Sequence, residues 1–170
     1  MPNWVEGSMK LRGPVREIKR FLRTELLDAK HGTPLVEVFN GTGTSRLLES
    51  KYATYFKDSR RAFTDRFHKN TWGIDFESLD EAAYTRDDKI NEDARTVYEL
   101  PFEQAWSLDY DWLRNLTERY ELDIKVFGYE MGMQFYDIAE YSKGDLIAED
   151  FKSFKGDDYA WEVPFMELGG

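Results

Sequence analysis

The sequence predicts an α+β fold, an antiparallel sheet with helices packed on one face, and three observations lead there. Stretches of two-residue alternation and stretches of helical spacing follow one another as strand, helix, insert, strand, strand, helix, strand. Hydrophobic residues make up 41% of the chain and aromatic residues 16%, enough apolar side chain for one ordinary core in 170 residues. Cysteine is absent, so no disulfide framework or thiolate metal site can replace that core.

Each element follows from its spacing. Between Trp4 and Leu11, Val5, Met9 and Leu11 fall on one face and Glu6, Ser8 and Lys10 on the other, as in a half-buried strand. Gly13-Pro14 ends it, and Pro14 suits the first turn of a helix, where its missing N–H is not needed. Val15, Ile18, Phe21, Leu22 and Leu26 then recur at helical spacing, with Arg16, Lys19, Arg20 and Arg23 opposite. This spacing predicts about four turns ending near Lys30-His31-Gly32. Leu35 to Phe39 reads as a short strand and Gly41-Thr42-Gly43-Thr44 as a turn. Leu48, Tyr52, Tyr55, Phe56, Phe63 and Phe67 fit a helical stripe that skips a turn near Ser59, making residues 35–69 an inserted helical region.

The second half is punctuated more sharply. Asn70 to Phe76 reads as a turn leading into a short strand, and Ser78 to Asp93 as a surface helix or loop. Ala94 to Gln104 alternates as a strand with Val97, Leu100 and Phe102 as its apolar positions, and Pro101 marks an edge or a bulge. Ser107 is placed to cap a helix whose first turn holds Asp109 and Asp111, and whose apolar face is Leu108, Trp112, Leu113, Leu116 and Tyr120. Two strands, Leu122–Tyr129 and Met133–Tyr141, are split by Glu130-Met131-Gly132. A turn at Ser142-Lys143-Gly144-Asp145 then leads to a last strand from Leu146 to Phe151. The order is that of a ferredoxin-like split βαβ sheet, one domain over residues 1–170 with extra C-terminal strands.

Charge is distributed unevenly. The net charge is −10, but residues 1–70 carry a net +6 and residues 71–170 a net −16. Such asymmetry bears on partners and solubility rather than on fold. No apolar stretch approaches the length of a membrane span, and the N-terminus lacks the features of a secretory signal. With no cysteine, a cytoplasmic location is the expectation.

No catalytic constellation stands above its surroundings in the sequence. His31 and His68 each lie beside a lysine and read as exposed surface residues, whereas a general base is held by a partner. Asp87, Asp88, Asn91, Glu92 and Asp93 form the densest oxygen cluster but lack the glycine turn and closing glutamate of a calcium loop. Gly41-Thr42-Gly43-Thr44 lacks the lysine of a phosphate-binding loop. The expectation is a protein that is not an enzyme and takes no cofactor or metal.

Two charged features remain as candidate binding sites. The first is basic and studded with aromatics, with Arg60, Arg61 and Arg66 as possible nucleic-acid contacts. A net charge of −10 works against binding a polyanion, and the aromatics can share a buried face. The second is acidic: Asp75, Glu77, Asp80, Glu81, Asp87, Asp88, Glu92 and Asp93. Carboxylates at such density can imitate the charge spacing of a nucleic-acid backbone and occupy the basic groove of a nucleic-acid-handling protein.

Four islands carry a family resemblance. Met1-Pro2-Asn3-Trp4, Asn70-Thr71-Trp72-Gly73, Phe102-Glu103-Gln104-Ala105-Trp106-Ser107 and Tyr129-Glu130-Met131-Gly132-Met133-Gln134-Phe135-Tyr136 resemble the YubB ferredoxin-like family of small phage and plasmid proteins. Members commonly show a proline pair after the Ala-Trp-Ser segment, where this chain has Leu108-Asp109. The resemblance implies a ferredoxin-like fold and a mobile-element origin, and it brings no active site with it. Joined to the acidic half, it implies an inhibitor of a host defence protein, with a CRISPR effector nuclease or its ribonucleoprotein as the expected partner. Alternative expectations are an accessory interaction protein, self-associating through an open sheet edge, and a small nucleic-acid-binding module using the basic insert.

Overall fold

β1 (Trp4–Pro14) is the strand from which the sheet is built outward, and its burial follows the alternation in its sequence: Val5, Met9 and Leu11 are fully buried. The computed structural model describes residues 3–35, 37–39, 45–47, 54–59, 61–64, 76–85 and 89–169. After β1 come α1 (Val15–Glu25), β2 (Leu26–Asp28), β3 (Glu37–Phe39), β4 (Ser45–Leu47), β5 (Thr54–Phe56) and β6 (Ala62–Phe63). The chain continues through α2 (Phe76–Ala83), β7 (Arg95–Ala105), α3 (Tyr110–Arg119), β8 (Asp123–Glu130), β9 (Phe135–Ser142), β10 (Asp145–Ser153) and α4 (Asp158–Glu162).

Eight strands form one sheet in the order β10-β9-β8-β1-β7-β6-β5-β2, and β3 pairs with β4 in a separate two-stranded sheet. All neighbouring pairs are antiparallel. β1 lies between β7 and β8, which α3 connects, and β7 lies between β1 and β6, whose connection contains α1. These two interleaved split βαβ units are the ferredoxin-like core. Gly7 opposite Gly128 permits β1 and β8 their approach, because a Cβ on Gly7 would run into the Phe127 carbonyl.

α1 and α3 pack on one face of the sheet. Ile18, Phe21 and Leu22 of α1 and Leu113 and Leu116 of α3 join Met9, Leu11, Ile124, Val126 and Tyr141 in one core. Phe21 meets Tyr120 edge-on at 5.4 Å. The other face is covered at one end, where Phe154, Tyr159 and Val163 pack against Tyr129 and Tyr136. The Tyr159 hydroxyl donates to the Leu168 carbonyl at 2.7 Å, and the Gly169 N–H donates to Glu6 at 3.1 Å. Elsewhere that face is charged. Lys10 and Lys125 lie against the Phe127 ring at 5.3 and 5.4 Å, and Arg12 bonds Asp123 at 2.8 Å.

Four local readings change. The first helix stops at Glu25, not near Gly32, because Leu26 continues the apolar stripe while its backbone has turned extended to pair with Phe56. Within the expected helical insert, the described residues form short strands and turns and no helix: Thr54 and Phe56 are buried around a half-buried Tyr55, a period of two. A turn at Lys57-Asp58-Ser59, with Asp58 at φ 62°, separates β5 from β6, and this is the skipped turn near Ser59. Leu48, Tyr52, Phe67 and the Gly41–Thr44 turn lie outside the described residues. Phe76 opens α2 instead of ending a strand, and its ring is buried against the core. The cap of α3 is Asp109, not Ser107: its carboxylate accepts from the Trp112 N–H at 3.0 Å.

Pro101 sits inside β7 opposite Ser8. On the other side of β7, β6 pairs only with Glu103 and Gln104, so no described strand waits there for the N–H that proline lacks.

Candidate binding surface

The acids singled out in the sequence divide into three groups. Asp75, Asp87 and Asp88 lie outside the described residues. Glu77 and Glu81 stand exposed on α2. Asp80, Glu92 and Asp93 are drawn together by cations from α1. Lys19, placed by helical spacing on the wet side, is in fact only 6% exposed. It forms ion pairs with Asp80 and with Glu92, the latter at 3.0 Å. Burial alone would lower the Lys19 pKa, but the two carboxylates outweigh it and the ammonium is held above its ordinary value. Arg16 pairs with Asp93 and, at 3.0 Å, with Glu121. This part of the acidic half is therefore partly neutralised, and Arg16 and Lys19 of α1 are engaged in holding it.

A second acidic site surrounds the start of α3. β7 ends at Ala105, whose N–H bonds the Arg61 carbonyl at 2.9 Å, and the Trp106 N–H bonds the Asn3 carbonyl at 2.8 Å. Pinned on both sides, Trp106 takes a left-handed backbone, φ 75°, and the residue is 53% exposed. For a bulky residue that conformation costs roughly 1–2 kcal/mol. Beside it opens a cavity of about 680 Å³, whose lining includes Asp58, Arg61, Trp106, Asp109, Tyr110 and Asp111. The lining thus brings three aspartates and one arginine to the same cavity. Arg61 thus stands among acids, and Arg60 and Arg66 lie outside the described residues.

Tyr110 links this site to the end of the sheet. Its hydroxyl lies 2.7 Å from Asp137 and 3.0 Å from Glu149, yet its single proton can serve one at a time. Burial raises the Asp137 pKa most; the Tyr110 bond opposes the rise and the Glu149 charge adds to it. A carboxyl held above its ordinary value binds its proton better folded than unfolded. Its contribution therefore favours the fold at low pH and is lost as pH rises through the folded pKa. Asp137→Asn keeps an acceptor for Tyr110 and removes the charge. The variant is expected to melt at an equal or higher temperature than wild type at pH 7, with a flatter stability profile between about pH 4 and 7. Thermal unfolding across that range checks this, and an unchanged profile would refute it.

His31 is exposed and lies 3.0 Å from Asp28. His68 lies outside the described residues. Among the described residues no His, Asp or Glu side chains converge as a metal-holding group, and no helix is long and apolar enough to cross a membrane.

The cavity residues were readable only in part. Asp109 and Asp111 stood out as first-turn acids, but a strand-to-helix corner that exposes Trp106 leaves no periodic signal.

Comparison with known proteins places the chain. Residues 80–164 match the family described as the ferredoxin-like domain in Api92-like protein, and the chain belongs to that family. No curated protein and no solved structure matches it. The matched span takes in β7, α3, β8, β9, β10 and α4, together with the acids from Asp80 to Asp93.

Proposed function

We propose that this chain is a non-enzymatic protein of a mobile element, related to the YubB-like phage and plasmid proteins. In this reading it binds and inhibits a host nucleic-acid-handling defence protein, such as a CRISPR effector. Its carboxylates stand where a nucleic-acid backbone would lie in the partner's basic groove. The supporting observation is how the charges are matched. Lys19 and Arg16 are engaged with Asp80, Glu92 and Asp93, whereas Asp145, Glu149, Asp150, Asp157 and Asp158 form no ion pair among the described residues. Arg16 and Lys19 turn onto one acidic cluster, while these five exposed carboxylates towards the C-terminus have no paired cation among the described residues.

Capture of host proteins on the immobilised chain, at low and then at high salt, tests this. The expected catch is a nuclease or its nucleoprotein complex, released as ionic strength rises. Charge reversal should weaken capture by about tenfold or more, whether at Glu81, Asp87 and Asp88 or at Asp111, Asp157 and Asp158. Asp80 is left intact because its loss would disturb Lys19 as well as the surface. If both reversed proteins captured the nuclease as well as wild type, the charge-mimic reading would be abandoned.

The fully exposed strand β10 favours a second reading, an accessory interaction protein without inhibitory role. Light scattering on the purified chain separates a self-associating module from a monomer awaiting a host partner.

A further inference from the structure

The two ends of the sheet are finished differently. β2, three residues long, is closed over by the turn that follows it: the Asp28 N–H donates to the Thr33 carbonyl at 2.9 Å and the Leu35 N–H to the Leu26 carbonyl at 3.2 Å. β10, at the other end, has nine residues, every one exposed. It pairs with β9, and among the described residues no other backbone bonds to it. Its outer N–H and C=O groups form an open ladder of the kind to which another extended segment can add.

The side chains along that edge define what would fit. Leu146, Glu149 and Phe151 lie opposite Tyr141, Ala139 and Asp137, so they stand on the helix-bearing side of the sheet. Ala148 and Asp150 lie opposite Glu140 and Ile138, on the other side. Phe151 is 56% exposed although its ring lies 5.5 Å from Phe135. Two acids thus project to opposite faces from adjacent positions, with apolar side chains before and after them.

We infer that β10 is a strand-addition site for a basic extended segment of a partner protein, one carrying two adjacent lysines or arginines between apolar residues. Neighbouring residues of an added strand point to opposite faces, so one basic side chain meets Glu149 and the next meets Asp150. The flanking apolar residues meet Phe151 and Leu146, and the backbone ladder supplies affinity independent of sequence. A second copy of the chain fits less well. Centring two copies on Glu149 sets carboxylate against carboxylate, and each copy brings a net −10. Centring them on Phe151 shortens the ladder and draws Lys152 from Glu162, which it bonds at 3.1 Å. The inference rests on the acidic reading only for the sign of the partner's charge.

The probe is a capped synthetic peptide whose centre reads valine, lysine, lysine, threonine, valine. It is compared with two N-methylated versions, one for each set of alternate amides. Titrated into isotope-labelled full-length protein, the unmodified peptide is expected to bind and to slow amide exchange along β10. At least one methylated version should lose on the order of tenfold in affinity, because its ladder bonds cannot form while its charge is unchanged. The paired reversal Glu149→Lys with Asp150→Lys should weaken the unmodified peptide by a similar factor. Equal binding by all three peptides would reduce the contact to non-specific attraction and overturn the proposal. So would no binding by the unmodified peptide, or protection of β10 in the free protein through self-association. None of these results would touch the effector-capture reading, which is tested at other residues.

Discussion

Phe56→Ala is expected to lower the stability of the whole domain by about 4 kcal/mol, the upper range for emptying a fully buried aromatic site. Phe56 comes from β5, inside the segment that the sequence marks as an insertion, yet it is fully buried at the centre of the shared core. Its ring lies 5.2 Å from Trp112 of α3, 6.3 Å from Phe21 of α1 and 6.3 Å from Phe102 of β7. Three elements of the ferredoxin-like unit therefore close around one residue of the insertion. An alanine leaves a hole bounded by rigid rings and paired strands, which can collapse only partly. Phe56→Leu, which refills most of the volume, should cost less than half as much. Urea unfolding followed by fluorescence and by far-UV dichroism measures both variants. A loss below about 1 kcal/mol for the alanine variant would show that β5 is peripheral and that the core closes without it.

The same residue shows what the sequence could and could not disclose. Strands β1, β8 and β9 were legible because each alternates over much of its length between buried and less buried positions, and a local period needs no knowledge of neighbours. β10, exposed at every residue, was legible from the Ser142–Asp145 turn that precedes it. The apolar face of α3 was legible for the same reason. Phe56 was assigned to a helical stripe because Tyr52, Tyr55, Phe56 and Phe63 fit helical spacing, and a three-residue strand is too short to assert a period against it. Only pairing with Leu26 and Phe63's strand decides the matter, and those partners are remote information. Lys19 failed differently. Its helical position put it opposite the apolar stripe, but α2 and the loop after it bring Asp80 and Glu92 onto that side. The acidic character of the second half was plain from composition. Which of its carboxylates meet cations was not, because ion pairs between distant segments leave no mark on spacing.

Arg119→Met is expected to cost about 3 kcal/mol at neutral pH, the lower range for breaking a buried pair because the arginine itself is partly exposed. Glu25 ends α1, a position where a carboxylate gains nothing from the helix dipole, and it is fully buried. Two donors from the end of α3 hold it: the Arg119 guanidinium at 2.7 Å and the Tyr120 hydroxyl at 2.5 Å. Burial and the Glu25 bond push the Tyr120 phenol up to about 12, so at physiological pH it remains a donor. Arg119 also reaches Asp58 at 3.5 Å, so one side chain ties α1 and the turn after β5 to α3. Methionine keeps much of the arginine's apolar stem but leaves the Glu25 charge with a single neutral donor in a buried site. Glu25→Gln in the Arg119→Met background removes the stranded charge and should recover most of the loss, while Glu25→Gln alone should be milder than Arg119→Met. Chemical denaturation of the three variants at pH 7 tests the set. A double variant no more stable than Arg119→Met would mean that packing of the arginine stem, and not the charge it neutralises, holds the two helix ends together.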